Sequence, residues 1–342
     1  MAKIIVDMMG GDLAPVETVK GVAMARAELG ADVEYILVGD KEKIEAAASE
    51  SGVDISGCEI VHTDVEITME DDPILVVRGK DNSSMSIGLR MLKEGKGDAF
   101  VSAGNTGALF TGASLIVRKL KGVRRPAIAA LMPLKNPVLL ADSGANITVT
   151  PEYLEHFAIM GSAYMKNVMG IENPRVGLLN NGAEEHKGTE LQIETHKRLR
   201  DNPTINFVGN VEGNTVMQDV CDVVVADGFT GNIFLKTAEG LGKMMLGELK
   251  GVFYKSMKTK IAALLVKGDL GGMKKNFDSA EIGGAPILGI AKPIIKAHGS
   301  SKAKAFKNAI RQALVFSQTS VNEDIEKALA DAKASQSEGT TE

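Results

Sequence analysis

The feature that most constrains this chain is a repeated unit: a short aliphatic run that ends in Gly, Asn, Asp or Ser and hands over to an amphipathic stretch. KIIVD (3–7) runs into MMGGDLAP and a helix from about Pro15, VEYILVGD (33–40) into a helix rich in Glu, Lys and Ala, and DAFVSAGNTGA (98–108) into a helix through Arg118. The unit returns at 136–151 before a helix from Glu152, at 175–188 before TELQIETHKRLR, at 222–232 before a further helix, and at 292–301 before the last one. INFVGNVEG (205–213) is followed by a short linker. Strands that are apolar throughout are covered on both faces, and their alternation with helices implies a mostly parallel sheet between two helical layers. The expected architecture is therefore three-layer α/β/α. Ligands of such sheets bind beyond the carboxyl ends of the strands, so the polar loop residues are expected to converge on one edge.

Composition excludes several function classes. Hydrophobic residues make up 44% and charged residues 24%, enough for a sizeable core and a polar surface. Aromatic residues are only 4%, with no Trp, which supplies little ring stacking for bases. The net charge of −5 argues against a nucleic-acid partner. Cys58 and Cys221 fit no metal or redox spacing, no run reaches the length of a membrane span, and MAKIIVDMMGGD has no signal-peptide core. A cytoplasmic protein is expected. The motifs G-x-x-x-x-G-K-[ST], G-x-G-x-x-G, H-E-x-x-H and G-x-S-x-G are all absent, so nucleotide, zinc and acyl-serine chemistry lack their usual signatures. Cys221, in the run leading into an apolar strand, reads as a small core residue.

What remains is a set of donor-rich loops that each open a helix, where free N–H groups and a partial positive charge suit an anion. In SAGNTGA, Gly104 and Gly107 allow close backbone approach, while Ser102, Asn105 and Thr106 add side-chain donors; the same residues also make an ordinary helix cap. In HGSS (298–301), Ser300 or Ser301 caps a helix, and His298 is either a ligand or a structural residue. Lys187, before Gly188, meets an anion or simply solvent, and Asp7 and Asp12 flank MMGG as orienting groups or caps.

These loops, in this order, resemble the PlsX family of bacterial phosphate acyltransferases. The matching segments are VDMMGGDLAP, KDNSSM (80–85), SAGNTGALFTG, RPAIA (125–129), GAN (144–146), PRVGLLNNGAEEHKGTEL, NFVGNVEG, DGFTGNIFLKTAEG and KAHGSSKAKAF, spanning residue 4 to about residue 310. The chain departs from the family pattern at Ile147-Thr148, where an aspartate is usual, at Arg78-Gly79-Lys80-Asp81, where basic charge is reduced, and conservatively at Asn181-Gly182-Ala183. The resemblance implies a fold like isocitrate/isopropylmalate dehydrogenases and phosphotransacetylases, a homodimer, no cofactor and no metal. It implies transfer of a fatty acyl group from acyl carrier protein to inorganic phosphate, with the acyl phosphate passing to a glycerol-3-phosphate acyltransferase in phospholipid synthesis.

On that reading Lys187, Asn232 and His298 are expected to be catalytic. Asp7, Gly11, Asp12, Ser102, Gly104, Asn105, Thr106, Asn146, Asn210, Asp227, Thr230 and Ser300 are expected to hold phosphate or the acyl group. Substitution of Asn105 or Lys187 is expected to cost activity and leave stability near wild type. The competing readings are a CoA-dependent phosphate acyltransferase, a decarboxylating dehydrogenase, or a non-enzymatic membrane-surface protein that recruits acyl carrier protein.

Residues 1–330 are expected to form one catalytic domain, or two subdomains of it, with a helical projection at about 240–285 broken at Gly268–Gly272, followed by a flexible polar tail at 331–342. In 251–277, Phe253, Met257, Ile261, Leu264 and Leu265 recur at three- and four-residue spacing, with Lys255, Lys258, Lys260 and Lys267 nearby and Lys274 and Lys275 beyond the Gly break. Such a basic amphipathic helix lies in a membrane interface, or packs on the domain or across a dimer. The resemblance favours peripheral contact with an anionic membrane through Met257, Lys258, Ile261, Leu264 and Leu265, and the neighbouring lysines also suit the acidic acyl carrier protein.

Overall fold

The computed structural model describes residues 1–266, 268 and 279–338. The strands are β1 (Ala2–Asp7), β2 (Val33–Gly39), β3 (Glu59–His62), β4 (Ala99–Ser102), β5 (Ala127–Met132), β6 (Val138–Ala141), β7 (Arg175–Asn180), β8 (Asn206–Glu212), β9 (Val223–Val225), β10 (Gly284–Leu288) and β11 (Ile294–Ala297). The α-helices are α1 (Val16–Leu29), α2 (Lys41–Ser51), α3 (Ser84–Lys93), α4 (Thr106–Gly112), α5 (Pro151–Met169), α6 (Glu190–Asp201), α7 (Gly228–Tyr254), α8 (Met257–Leu265), α9 (Ser279–Ile282), α10 (Ala303–Ser317) and α11 (Val321–Glu338). The polar residues at the strand ends start the helices as caps. Asp40 accepts from the Glu42 and Lys43 amides, Ser83 from Ser86, and Thr150 from Tyr153 just ahead of Pro151, whose fixed φ suits a first turn.

Period-two alternation sorts the strand residues between two helical layers. In β1, Ile4 and Val6 join a core with α1, α5 and α10, while Ile5 faces α3 and α4 with Phe100 and Leu89. A third cluster, around Leu140, Val224 and Cys221, lies under the first turns of α7. The result is the three-layer α/β/α arrangement.

The sheet has eleven strands in the order β3-β2-β1-β4-β11-β10-β5-β6-β9-β7-β8. It is parallel except at β10–β11, β10–β5 and β5–β6, which pair antiparallel. Those pairings reverse the direction of β6, β9, β7 and β8 relative to β1, β4 and β11. The loop-bearing strand ends therefore leave the sheet on two edges rather than the single edge expected.

Two expectations need correction. The sequence pattern predicts a single helix after the His298 loop, but there are two, because Thr319 and Ser320 interrupt the run before Val321. Residues 331–338 are helical rather than an irregular tail: they continue α11, whose Leu329 and Ala332 are buried in the main core. Residues 339–342, Lys267, Lys274 and Lys275, together with Gly271 and Gly272 of the expected glycine break, lie outside the described residues.

Candidate active site

Three groups of loops meet along the first turns of α7. The first is built on the ends of β1, β4 and β11. Asp7 is buried at the end of β1, and its carboxylate accepts the hydroxyls of Ser84 (2.7 Å) and Ser102 (2.6 Å) and the Met9 amide (3.2 Å). Burial holds the Asp7 carboxyl above its usual range, opposed by the Ser102 and Ser84 hydroxyls. Ser102 in turn accepts the Gly104 amide at 3.0 Å, so Asp7 and Ser102 shape the SAGN turn rather than face solvent. Gly10 sits inside this turn: a Cβ there would lie 2.6 Å from an Asp7 carboxylate oxygen and 2.7 Å from the Gly104 nitrogen. Gly11 adopts φ +111°, a region L side chains avoid, and lets the Asp12 amide reach the Gly299 carbonyl at 2.9 Å. Asp12 and Thr106 are exposed at the mouth of this group.

Asn105 is engaged within the fold. Its side-chain amide donates to the carbonyls of Thr68, Met69 and Asp71 at 3.1–3.3 Å, and its Oδ1 accepts the Ala108 amide at 3.0 Å to cap α4. Every polar atom of this buried side chain is occupied, so it acts as a strut between α4 and the 68–71 loop. Met69 of that loop packs beside Gly299.

The end of β11 carries a residue that the loop motifs do not single out. Lys296 is only 8% exposed, within a strand whose residues are all buried. Its ammonium donates to the carbonyls of Ala103, at 3.5 Å, and Ala297, and it makes no ion pair among the described residues. Burial pulls its pKa down to about 8, against the charges of Asp12 and Asp7, while Lys236 of α7 pushes in the same direction as burial. A lysine interrupting the aliphatic run IIKA is the available sequence signal.

Beyond Lys296, His298 Nδ1 accepts the Ser300 amide at 3.2 Å and lies 2.9 Å from the Ser300 hydroxyl. Those bonds assign the neutral-ring proton to Nε2, leaving an N–H donor on an exposed imidazole. Burial, then the charges of Lys236 and Lys296, lower the His298 pKa, with Glu239 opposing, which favours the neutral ring.

The second group lies at the ends of β6 and β9. Asp142 is fully buried and accepts the amides of Ile128 and Ala145, both at 2.9 Å, and of Asn146 at 2.5 Å; burial raises its pKa. Asn146 donates to the Pro126 carbonyl at 2.8 Å and to Asp142 at 3.1 Å, and its carbonyl accepts the Gly228 amide at 2.7 Å. Asp227 caps α7 through the Phe229 and Thr230 amides and accepts the Thr230 hydroxyl at 2.7 Å. Asn232 is exposed and lies over Gly144. Gly231 is obligatory here, because a Cβ would collide with the Asp142 carbonyl.

The third group, at the ends of β7 and β8, is organised by Asn210. It donates to the Glu184 carbonyl at 2.8 Å and pairs with His196 Nδ1 at 3.0 Å, both from a buried position. Lys187 follows on the same loop, half-buried with its stem over Gly182, and its ammonium has no ion-pair partner among the described residues.

The groups are joined by α7. Asn232 covers Gly144 at the end of β6, Phe234 packs on Gly213 beyond β8, and Lys236, Glu239 and Lys243 act electrostatically on His298 beyond β11. At 1.5 Å per residue these positions span about 16 Å of helix. The structure thus splits the expected residues into two kinds. Asp7, Ser102, Asn105, Asn146, Asn210 and Asp227 hold loops in shape, and the Thr230 and Ser300 hydroxyls are engaged by Asp227 and His298, whereas Asp12, Thr106, Lys187, Asn232 and His298 are exposed or half-buried around the loops. Among the described residues no three His, Cys, Asp or Glu side chains gather as a metal would need. Cys221 is buried at 0% exposure, and burial pushes its thiol up to about 12, as befits a core residue.

Comparison with known proteins matches this arrangement to a family. A family model described as fatty acid synthesis protein matches residues 2–324. The phosphate acyltransferase of Acetivibrio thermocellus is 47% identical over 317 residues, covering 92% of this chain and 93% of that one. That of Clostridioides difficile is 45% identical over 325 residues, covering 94% and 95%. Among solved structures, a phosphotransacetylase from Streptococcus pyogenes superposes with a TM-score of 0.59 at 20% identity over 92% of this chain and 94% of that one. A 4-hydroxythreonine-4-phosphate dehydrogenase from Burkholderia phymatum gives 0.50 at 15% identity over 92% and 98%. Likenesses at this identity speak for the fold alone, one shared by acyl-transferring and dehydrogenase enzymes. Matched over most of its length by the family model and by curated relatives, the chain belongs to the fatty acid synthesis protein family, that of the phosphate acyltransferases, and is an acyltransferase.

Proposed function

We propose that the enzyme transfers a fatty acyl group from acyl carrier protein to inorganic phosphate, giving acyl phosphate and free carrier protein. The observation that carries this reading is the gathering of the Gly10–Asp12, Ala103–Thr106 and His298–Ser300 segments around the buried cation of Lys296, which makes no ion pair among the described residues. Phosphate is anionic at neutral pH and is already a nucleophile. It needs to be held against a thioester carbonyl, and the carbonyl oxygen needs donors as it gains charge. The His298 Nε2–H and the Thr106 hydroxyl supply donors, with the Ser300 hydroxyl holding the His298 ring through Nδ1, and Lys187 with Lys296 supplies positive charge. Asn232, exposed on the first turn of α7, positions the reactants from the opposite group of loops.

The helical projection supports the finer assignments. No helix among the described residues is long and apolar enough to cross a membrane. In α8 nothing is buried, and Met257, Ile261, Leu264 and Leu265 are exposed by 56–82% beside Lys258 and Lys260. That exposure is against packing of the stripe on its own domain. It supports peripheral contact with an anionic membrane, each lysine contributing about 1 kcal/mol near the surface. Leu241, Met244 and Met245 of α7 are exposed as well and offer a surface for a second copy, so a homodimer is part of the reading. Acyl phosphate formed at the membrane would pass to a glycerol-3-phosphate acyltransferase.

The test compares acyl-carrier-protein and acyl-CoA thioesters, each with and without phosphate, with the product trapped by hydroxylamine. Phosphate-dependent consumption with preference for the carrier-protein thioester is expected. Preference for acyl-CoA would replace the donor, and phosphate-independent consumption would remove the reading.

A further inference from the structure

Lys296 calls for an explanation that loop architecture does not provide. Burying an ammonium is expensive, and proteins ordinarily offset it with a carboxylate in direct contact. Here no carboxylate lies within ion-pair distance among the described residues, and two of the three ammonium hydrogens go to the carbonyls of Ala103 and Ala297. The charged and titratable groups around it are Asp7 on β1, Asp12 on the loop after β1, Lys236 on α7 and His298 two residues along its own strand end. Asp7 is spoken for by Ser84 and Ser102. A lysine held for structure alone would be better served by a pair; a lysine held without one is poised to change its charge.

The reaction has a use for such a group. When a phosphate oxygen attacks the thioester carbonyl, the C–O bond forms and the C–S bond breaks, and the sulfur leaves as a thiolate that must gain a proton. Hydrogen phosphate arrives with one proton that its acyl ester holds less tightly, because acylation withdraws electrons from the phosphoryl group. We propose that the Lys296 ammonium gives its proton to the departing thiolate and that the resulting amine recovers a proton from the newly formed acyl phosphate. The overall reaction then balances with no proton exchanged with solvent: acyl thioester and hydrogen phosphate become acyl phosphate and thiol. A lysine near 8 is matched to this task, since an ordinary thiol titrates at about 8.5 and proton transfer between groups of similar acidity is nearly level. This assignment rests on the acyl-to-phosphate reading given above.

Leaving-group chemistry provides the test. Wild type and Lys296→Met are assayed with acyl carrier protein thioester and with an acyl thiophenyl ester, whose thiol is acidic enough to leave without a proton. Lys296→Met is expected to lose about 100-fold or more on the carrier-protein thioester, the usual scale of acid catalysis, and less than about tenfold on the thiophenyl ester. Lys296→Arg, which keeps the charge and cannot release a proton near neutrality, is expected to remain impaired on the carrier-protein thioester. Equal losses on both esters, or full activity in Lys296→Arg, overturn the proposal. Should the variants fail to fold, the wild-type pH profile decides. Turnover of the carrier-protein thioester should fall above about pH 8 while that of the thiophenyl ester stays level, and the same alkaline limb for both overturns it. A wild-type enzyme that makes no acyl phosphate from either ester fails the underlying reading instead, whatever the variants do.

Discussion

Replacing Asn105 with alanine separates a strut from a ligand. The substitution removes the cap bond from the Ala108 amide, which costs about 1 kcal/mol in typical helices. It also removes the Asn105 amide from the Thr68, Met69 and Asp71 carbonyls, of which Thr68 keeps the Asp71 backbone amide at 3.3 Å. Thr68 and Met69 are exposed and Asp71 half-buried, so water replaces part of what is lost, and about 0.5 kcal/mol for each bond is a fair residual. The total is roughly 2–3 kcal/mol. Unfolding entropy of about 2.1 cal/mol/K per residue gives about 0.7 kcal/mol/K for 342 residues, so the melting temperature should fall by about 3–4 °C. Asn105→Asp keeps the cap and points a carboxylate oxygen at the same carbonyls, and should therefore be less stable than Asn105→Ala despite retaining the cap. Scanning calorimetry of the three proteins at pH 7 reads both effects. An alanine variant within a degree of wild type, or an aspartate variant as stable as wild type, would refute the strut. Activity is expected to fall too, because the 68–71 loop carries Met69 against Gly299 beside His298.

Three further outcomes follow from other parts of the site. Burial holds the Asp7 pKa above the unfolded value of about 3.9, so its contribution to stability is full below that value and is lost as pH rises through the folded one. Asp7→Asn should accordingly melt higher than wild type at pH 7, with the gap closing toward pH 4; a pH-independent gap or a less stable variant would contradict this. Lys187→Ala should lower kcat/KM by at least about tenfold, or ~1.4 kcal/mol, with an unchanged melting temperature, and full activity would remove Lys187 from the site. Wild type should pellet with anionic vesicles in a salt-sensitive way, while Ile261→Glu/Leu265→Glu stays in solution and remains active; equal pelleting ends the membrane role, and an unfolded or monomeric double variant points to packing instead.

The sequence is informative where chemistry is local. Apolar runs such as KIIVD and DVVV become strands because nothing but a doubly covered sheet buries them, and Asp40, Ser83 and Asp227 become caps by the usual side-chain bonds. Three strands escape the pattern. EIVH is four residues at a half-exposed edge, AIAALM is half alanine, and GAPIL carries the Pro and Gly that ordinarily end a strand. The last two make the antiparallel pairings that reverse the sheet, so the placing of loops on two edges is lost with them. In the site, loop composition names the residues that gather, but not which ones are spent on the fold. Asn105 and Thr106 are adjacent donors in one motif, yet only tertiary contact with the 68–71 loop consumes the first and leaves the second exposed. Lys296 is hidden for the opposite reason: it sits in a strand, where a motif search directed at loops does not look.

Attack of a phosphate oxygen on the acyl carbonyl is tested most directly by isotope transfer. Acyl carrier protein thioester is incubated with the enzyme and with phosphate labelled at all four oxygens with ¹⁸O, and the products are weighed by mass spectrometry. Attack by phosphate requires intact acyl phosphate that retains all four labels while the acyl carbonyl keeps its own unlabelled oxygen. Release of unlabelled fatty acid without a labelled acyl phosphate, at a rate indifferent to phosphate, would mean that water is the acceptor and that the loops around Lys296 do not bind a phosphate nucleophile.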